Sequence, residues 1–307
     1  MPKTSPFRGT APALVTPFTP DGALDEAAYR RLLDFVIDGG VDYAGVEAVV
    51  VLGTTGENPT VLPEERRRLV ELSVEHVAGR VPVVVGSGTN NTAQSVAFSK
   101  EAADAGADAL LVVQPYYNKP TPAGLMAHCA AIADATDCPI ILYNVPGRTG
   151  FNVPAEGTLM VAEGVPSCVG VKEASGNLNQ IADILKHRPE GFAVYSGDDD
   201  LTVPMLALGA DGLVSVAANA VPGPICEMVR LGMAGDFRAA RDLHFTLLDA
   251  MRASFFEPSP VPIKAVLAEM GLMDAHTRLP LVPLTDAGRE RVFAAYAPFI
   301  EAARASA

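Results

Sequence analysis

The stretches CPIILYNVPGRTG (138–150) and SCVGVKEASGN (167–177) share one pattern, a short apolar run that stops abruptly at polar residues. Runs of this length are typical of buried strands. A buried strand, a helix-like segment and a second buried strand together form the repeating unit of a parallel sheet. The first run ends at Tyr143 and the second at Lys172.

Six more apolar runs of the same kind precede residue 220, and segments with helical apolar spacing separate them. Eight such units predict an α/β fold, a closed (β/α)8 TIM barrel. The alternative is an open doubly wound sheet, which requires a glycine-rich phosphate fingerprint that GSGTNN (86–91) does not match. The predicted strands are 11–15, 47–52, 81–86, 109–113, 139–143, 168–172, 192–196 and 212–216.

The last part of the chain has helical rather than strand character, and no low-complexity linker precedes it. We therefore predict a barrel over residues 1–221 and a C-terminal helical region over 222–307 that is an integral part of the same unit. The predicted helices are Pro224–Ala234, Phe237–Phe255, Pro262–Met270 and Asp286–Ala303.

Composition excludes several classes of protein. The net charge of −13 disfavours nucleic acid as a partner, because its phosphates would be repelled. No window has the apolar length of a membrane span, and the N-terminus lacks the apolar core of a secretory signal. The four cysteines form no CxxC pair and the five histidines no ligand pattern, so we expect a cytoplasmic protein with reduced thiols and no metal.

Lys172 is the strongest candidate for a catalytic residue. Burying an unpaired ammonium is costly, so a lysine at the end of a buried strand tends to lose its proton. A neutral amine beside a phenol such as Tyr143 is suited to Schiff-base chemistry with a carbonyl. The structural alternatives are an ion pair between Lys172 and Glu173, and a purely packed Tyr143. Of the other five lysines only Lys264 has an apolar setting, where its helical context favours a structural role.

Polar residues follow several other predicted strands, and in a barrel they would meet at one mouth. A Gly-Thr-Thr-Gly turn (53–56) offers backbone N–H groups and hydroxyls to a carboxylate, although its threonines could equally cap the next helix. Arg148 could grip a carboxylate with two hydrogen bonds or lie on the surface. At most one of the adjacent Tyr116 and Tyr117 should face its own pocket. The run Asp198–Asp200 precedes a helix-like segment, so we interpret it as N-terminal capping.

The ordered motifs GTTGE (53–57), QPYYNKP (114–120), YNVPGRTG (143–150), GVKEASGN (170–177) and SGDDD (196–200) resemble the dihydrodipicolinate synthase family. This family belongs to the pyruvate-dependent class I aldolase superfamily, together with N-acetylneuraminate lyase. The likeness extends from FRGTAPALVTPF near the start to RLPLVPLT near the end, and so covers nearly the whole chain.

The resemblance implies a lyase that condenses pyruvate with L-aspartate 4-semialdehyde to give 4-hydroxy-tetrahydrodipicolinate, for lysine and diaminopimelate synthesis. By motif position, Lys172 forms the Schiff base, so no separate cofactor is required. Tyr143 carries protons, and Thr54 links it to Tyr117, which in the family reaches across a dimer interface. The resemblance therefore implies a homo-oligomer, at least a dimer and usually a tetramer. The residues implied in substrate binding are Thr55, Arg148, Val214 and Gly197.

Two departures from the family pattern bear on these expectations. The segment VDYAGVEAV (41–49) carries extra residues, which we predict to extend a loop on the bottom face of the barrel. Gln94 stands where lysine-inhibited relatives typically have a glutamate, with Asn58 and Arg66 near the same cleft. Because lysine's α-amino group loses its natural partner, we predict weak or absent lysine inhibition.

The nearest alternatives are other pyruvate-dependent lyases on the same scaffold, acting on sialic acid, 2-keto-3-deoxy sugar acids or 4-hydroxy-2-oxoglutarate. All of them would share Lys172 and Tyr143. Arg148 with the paired tyrosines favours a short aldehyde that bears a carboxylate. A catalytically silent sensor of small carboxylates is a different class of hypothesis, and the complete set of proton-relay residues argues against it.

Overall fold

Eight parallel strands form the centre of the computed structural model, which describes residues 4–40 and 43–305. Each strand overlaps one of the eight predicted runs, although β1 begins and ends earlier than predicted and β2 is shorter. The strands are β1 Gly9–Pro12, β2 Val49–Val51, β3 Val83–Gly86, β4 Ala109–Val113, β5 Ile140–Asn144, β6 Cys168–Glu173, β7 Ala193–Ser196 and β8 Gly212–Ser215.

The strand order closes the sheet into a barrel. Neighbours in space run β1-β8-β7-β6-β5-β4-β3-β2, and a single parallel bridge between Ala13 and Val50 joins the two ends. The amide of Leu14 also donates a 2.9 Å hydrogen bond to the carbonyl of Val50. The (β/α)8 barrel predicted from the sequence is therefore confirmed, and the open doubly wound alternative is wrong.

Several of the helices on the outside of the barrel begin at residues whose side chains cap them. Asp25 accepts a 2.9 Å hydrogen bond from the amide of Ala28, and Thr121 and Asn177 cap their helices in the same way. Twelve α-helices lie in the described residues: α1 Glu26–Asp38, α2 Pro63–Val77, α3 Thr92–Asp104, α4 Pro122–Ala133, α5 Pro146–Thr149, α6 Ala155–Gly164, α7 Leu178–His187, α8 Thr202–Ala207, α9 Pro222–Met233, α10 Phe237–Ala253, α11 Val261–Glu269 and α12 Asp286–Ala305.

The helices predicted after residue 222 are confirmed as α9 to α12, each within two residues of its predicted start and end. Helix α9 packs beside α10 and against β1, and α12 packs on α10 and α11. Within residues 4–40 and 43–305, no helix combines the length and the apolar character that a membrane crossing requires.

Two apolar clusters divide the interior. The larger one lies between the sheet and the helices, and the smaller one, which includes Tyr143, Tyr195 and Val214, fills the barrel. The pairing of β5 with β6 shifts by one residue at Ile140 and Ile141, so that Val169 becomes the extra residue of a bulge. A bulge changes which side chains face inward on the rest of the strand. Because Lys172 follows the bulge, its side chain points into the barrel, as does that of its strand partner Tyr143.

The segment between α1 and β2 lies at the amino ends of the strands, on the bottom face. The Arg230 guanidinium binds it by donating to the carbonyl of Gly45 at 2.6 Å and to the carboxylate of Glu47 at 2.9 Å. Most of the predicted extra segment 41–49 is thus in the expected place, while residues 41–42 lie outside the described residues.

Candidate active site

Lys172 and Tyr143 lie side by side at the carboxyl ends of β6 and β5. They are direct partners in the strand register. The Nζ atom of Lys172 is 4.3 Å from the centroid of the Tyr143 ring. Only 5% of Lys172 and 7% of Tyr143 is exposed. The structure therefore brings together the amine and the phenol that the sequence predicted as partners.

Burial changes the proton affinity of the Lys172 amine. It lowers the pKa of Lys172 to about 8, because the charged ammonium is poorly solvated among buried groups. The carboxylates of Asp198 and Asp199 oppose this shift, and the positive charge of Arg148 adds to it. A substantial neutral fraction is thus available near neutral pH for nucleophilic attack.

The Tyr143 phenol is shifted in the opposite sense. Burial raises the pKa of Tyr143 to about 12, and the nearby positive charge of Arg148 and a hydrogen bond with the Thr54 side chain offset part of that rise. Tyr143 therefore keeps its proton at neutral pH and can donate it to a substrate. Thr54 is its polar contact on the GTTGE turn.

Gly197 leaves the space that the Lys172 side chain occupies. A Cβ atom at this position would lie 3.0 Å from Cε of Lys172 and 2.7 Å from Cβ of Ala174. Its amide donates a 2.8 Å hydrogen bond to the carbonyl of Glu173. A side chain at position 197 would consequently push the amine away from its place beside Tyr143.

The alternative interpretation of Lys172, an ion pair with Glu173, is wrong. Successive strand residues point to opposite faces, so Glu173 faces away from Lys172. Its carboxylate accepts hydrogen bonds from the Asn144 side chain at 3.0 Å, from the Ser175 amide at 2.8 Å and from the Gln180 side chain at 3.1 Å. Neutral donors therefore satisfy the Glu173 carboxylate, and the Lys172 amine lies on the other face of the strand, inside the barrel.

A cleft of about 560 Å³, called here the Tyr143 cleft, is lined by Tyr143 and by Gly197, the residue that packs against the Lys172 side chain. Arg148 lines it from α5, and Gly197 and Asp198 line it from the end of β7. Residues 255–259, between α10 and α11, form the opposite wall. The Arg148 guanidinium stands at the rim, where it can meet a carboxylate that enters the cleft.

The GTTGE turn is held from below by a buried ion pair. The Nζ atom of Lys264 lies 2.7 Å from Oε1 of Glu57, and Lys264 is fully buried. Lys264 also donates to the carbonyl of Thr16 at 2.9 Å. The amide of Arg278 donates to the second oxygen of Glu57 at 3.1 Å. The structural role predicted for Lys264 is confirmed, and the C-terminal helical region fixes the turn that carries Thr54.

The threonines of this turn do not cap the next helix. The short 3-10 turn that follows, Asn58–Thr60, has no side-chain cap, and α2 begins after Leu62. Thr55 is buried beside Thr54, and Val214 belongs to the apolar cluster inside the barrel. In the part of the chain that the structure describes, neither Thr55 nor Val214 lines the Tyr143 cleft.

The adjacent tyrosines separate as predicted. Tyr116 lines a cleft of this chain together with Thr54 and Arg148, whereas 87% of Tyr117 is exposed. The backbone of Tyr117 has a φ of 71°, an uncommon conformation for a bulky residue. The structure therefore brings Thr54 to Tyr143 and leaves Tyr117 outside this chain's own site.

A second cleft of about 440 Å³, called here the Arg66 cleft, adjoins the first at Arg148. The buried Arg66 guanidinium donates to the Asn58 side chain and to the carbonyl of Gly86, and it lies 4.1 Å from the centroid of the Phe98 ring. Gln94 also lines this cleft. The structure thus groups the three residues that the sequence associated with lysine feedback.

The interpretation of Asp198–Asp200 as a helix cap is wrong. The 3-10 turn Asp199–Leu201 and the helix α8 that follows both lack a side-chain cap. Asp199 is buried and accepts hydrogen bonds from the Ser215 hydroxyl and the Val216 amide, while Asp200 pairs with Arg252 at 3.3 Å. Capping preferences alone could not find these contacts, because the partners lie 16 to 52 residues away.

Fold and site together define the class of protein, an α/β barrel that holds a buried lysine amine against a tyrosine at the carboxyl ends of its strands. Residues 6–297 match the profile of the Dihydrodipicolinate synthetase family. The chain therefore belongs to the dihydrodipicolinate synthetase family.

Individual relatives agree over nearly their whole length. The chain is 59% identical to the 4-hydroxy-tetrahydrodipicolinate synthase of Salinibacter ruber over 297 residues, which cover 96% of this chain and 97% of the relative. The crystal structure of dihydrodipicolinate synthase from Thermotoga maritima superposes with a TM-score of 0.92 at 41% identity, covering 96% and 99% of the two chains. The chloride-inhibited enzyme from Acinetobacter baumannii, complexed with pyruvate, gives a TM-score of 0.91 at 38% identity and covers 95% and 98%.

Proposed function

We propose that this protein is a lyase that condenses pyruvate with L-aspartate 4-semialdehyde to form 4-hydroxy-tetrahydrodipicolinate. The observation that carries the proposal is the buried Lys172 amine, 4.3 Å from the Tyr143 ring centroid, in a chain of this family. The name of the Salinibacter ruber relative and the pyruvate complex of the Acinetobacter baumannii enzyme support the same reaction.

Lys172 is the nucleophile in this proposal. With a pKa of about 8, roughly a tenth of the amine is neutral at pH 7, far more than for an ordinary lysine. The neutral amine attacks the ketone carbon of pyruvate, and loss of water gives an iminium. The iminium withdraws electrons from the neighbouring methyl group, which loses a proton to form an enamine. No separate cofactor is required for these steps.

Proton transfer is assigned to Tyr143. Its phenol lies beside the amine and is hydrogen-bonded with Thr54, so it can give a proton to the leaving water and later to the aldehyde oxygen. The enamine carbon attacks the aldehyde of the second substrate, and the new alkoxide takes the proton. In this proposal Tyr117 of a partner subunit joins Thr54 and completes a path for protons to solvent.

Substrate carboxylates are assigned to two places. By the family resemblance, the pyruvate carboxylate is assigned to Thr55 and to the backbone around Gly197 and Val214; of these residues, Gly197 lines the Tyr143 cleft. The carboxylate of the aldehyde binds Arg148, whose guanidinium stands at the rim of the Tyr143 cleft. The two sites hold the two substrates on opposite sides of the bond that forms.

The assembly and location follow from the same proposal. Tyr117, with 87% of its surface exposed on this chain, contributes to catalysis only if a second copy covers it. We infer a homo-oligomer, at least a dimer and in the fuller form a tetramer. The proposed partners are small-molecule substrates rather than nucleic acid or membrane, and the proposed location is the cytoplasm.

A substrate comparison tests the reaction. With pyruvate present, kcat/KM for L-aspartate 4-semialdehyde should exceed that for sugar aldehydes such as N-acetylmannosamine or glyceraldehyde by at least about a hundredfold, because Arg148 has a carboxylate to bind only in the first case. Faster reaction with a sugar aldehyde would instead favour a 2-keto-3-deoxy sugar acid or sialic acid lyase, which the comparisons do not favour. A protein that binds pyruvate and reacts with no aldehyde would be a sensor.

Lysine inhibition should be weak. In the Arg66 cleft, Gln94 offers no charge to an ammonium group and Arg66 repels one. A missing charge-assisted hydrogen bond of about 1.5–3 kcal/mol lowers affinity roughly 10- to 150-fold. We expect no half-inhibition at micromolar L-lysine in a steady-state assay. Gln94→Glu should increase sensitivity, whereas the uncharged Gln94→Met should not. Strong inhibition of the unmodified protein at micromolar lysine would contradict the assignment.

A further inference from the structure

Asp198 differs from the two aspartates that follow it. Its backbone is fixed, because its amide donates to the Ser196 hydroxyl at 3.2 Å and its carbonyl accepts from Ser196 at 2.8 Å and Thr202 at 3.1 Å. Its carboxylate, by contrast, has no hydrogen bond or ion pair within residues 4–40 and 43–305. Asp199 and Asp200 both have such partners.

The free carboxylate lines the Tyr143 cleft. Asp198 follows Gly197 directly, and Arg148 lines the same cleft from the neighbouring side of the barrel mouth. The charge of Asp198 acts on both Lys172 and Tyr143. The cleft therefore presents one carboxylate and one guanidinium, and the charges of both act on the Lys172 amine.

A carboxylate and a guanidinium that line one cleft match a substrate that carries both an ammonium and a carboxylate. An α-amino acid aldehyde has this combination, and once Arg148 holds the carboxylate, the α-ammonium needs an acceptor. We propose that Asp198 binds the α-ammonium of the aldehyde substrate and accepts its proton when the amine closes the ring. This inference rests on the proposed function and names the group that selects the amino aldehyde.

The proton balance of ring closure requires such a base. After the carbon–carbon bond has formed, the former ketone carbon of pyruvate, C2, is still joined to Nζ of Lys172 as an iminium. The substrate ammonium gives one proton to the Asp198 carboxylate, and the freed amine attacks C2. A proton then moves from the attacking nitrogen to Nζ, the C2–Nζ bond breaks, and Lys172 leaves as a neutral amine. The ring nitrogen releases its remaining extra proton and the cyclic imine forms.

The environment of Asp198 suits both tasks. Burial raises the pKa of Asp198 to about 6, and the positive charge of Lys172 opposes that rise. The carboxylate is therefore ionised at neutral pH and binds an ammonium, yet it is a stronger base than an ordinary aspartate. The charged and titratable groups around it are Lys172 and Glu173 on β6, Asp199 and Asp200 in the following turn, Tyr143 on β5, Arg148 on α5 and Glu257 across the cleft.

The test compares two aldehydes that differ only in the amino group. L-aspartate 4-semialdehyde and succinic semialdehyde share the chain and the carboxylate. The unmodified protein should prefer the amino aldehyde in kcat/KM for aldehyde consumption. In Asp198→Asn we expect this preference to fall by about tenfold to a hundredfold, through a higher KM for the amino aldehyde and a lower kcat. The KM for succinic semialdehyde should change little.

Trapping of pyruvate on Lys172 by borohydride provides the internal control. It should persist in Asp198→Asn, and the apparent pKa of its pH dependence should fall, since a negative charge that favours the ammonium form has been removed. The matched variant Asp200→Asn removes one charge two residues away, where the side chain pairs with Arg252 outside the cleft. It should leave the aldehyde preference unchanged.

The outcomes separate this inference from the proposed function. Failure of the unmodified protein to trap pyruvate or to consume the amino aldehyde overturns the proposed function. If both occur and Asp198→Asn keeps the original preference, the role of Asp198 alone is overturned. Asp198→Ser serves as a second carboxylate-free variant should the asparagine variant fold poorly, and the same two results decide it. An equal loss in Asp200→Asn also overturns the inference, because it would reflect a general change of charge.

Discussion

Replacement of Lys172 by methionine is expected to lower turnover by about 10⁴-fold or more, the order of loss seen when a covalent nucleophile is removed. Methionine keeps the length and apolar stem of the side chain, and it removes the amine that lies 4.3 Å from the Tyr143 ring centroid. Because the side chain is buried and its amine carries a desolvation cost, we expect the fold to be retained and the thermal midpoint to stay the same or rise.

The direct measurement is mass spectrometry after treatment with pyruvate and borohydride. The unmodified protein should gain one reduced pyruvate adduct on the peptide that contains Lys172, and Lys172→Met should gain none. Lys186→Met is the matched control, because Lys186 is exposed in the last turn of α7 and should leave both adduct and turnover unchanged. An adduct on Lys264, or full labelling of Lys172→Met, would refute the assignment of the nucleophile.

The pH dependence of labelling gives the same assignment an independent check. The pKa of Lys172 lies below its ordinary value, so the reactive neutral form grows as the pH rises, reaches its midpoint near pH 8 and levels off about one pH unit higher. The initial rate of adduct formation should follow this curve. A midpoint near that of an ordinary lysine, above pH 10, would mean that burial does not activate the amine.

The barrel was accessible from the sequence because parallel strands buried on both faces read as continuous apolar runs. AVVVL (48–52) and ALLVV (109–113) are such runs, and β2 and β4 lie in them. The site was accessible for a related reason. A lysine or tyrosine at the carboxyl end of a buried barrel strand lies at the barrel mouth, so the sequence alone predicts that Lys172 and Tyr143 are neighbours.

Contacts between distant segments were not accessible in this way. The ion pair between Lys264 and Glu57 joins positions 207 residues apart, and local sequence indicates only that Lys264 is surrounded by apolar residues. The same limit explains the error at Asp198–Asp200. Capping depends on neighbouring residues only, whereas Asp199 hydrogen-bonds with residues in and just after β8 and Asp200 pairs with Arg252 of α10. Asp198 has neither contact and lines the Tyr143 cleft. The position of the bulge at Val169 likewise depends on the pairing of β5 with β6.

Removal of a single hydroxyl by Tyr143→Phe should reduce kcat by about 10²- to 10⁴-fold, the usual contribution of a positioned general acid or base. The aromatic ring and its contact with Lys172 remain, so the free energy of unfolding should change by less than about 1.5 kcal/mol, as for a conservative core substitution. Circular dichroism with thermal melting checks the fold, and steady-state kinetics with both substrates measures the loss. Pyruvate trapping should still occur at Lys172, more slowly, because loss of water from the adduct lacks its proton donor.

A double-mutant cycle with Thr54 tests whether the hydroxyl works as part of a relay. Thr54→Val keeps the side-chain shape, removes the hydrogen bond with Tyr143 and should cost less than Tyr143→Phe, since the phenol itself survives. If both residues move the same protons, adding Thr54→Val to Tyr143→Phe removes nothing further. The double variant should then have the kcat of Tyr143→Phe alone, because groups that act as a unit are strongly non-additive. Losses that multiply would mean that Thr54 acts independently, through the shape of the pocket rather than through the Tyr143 proton.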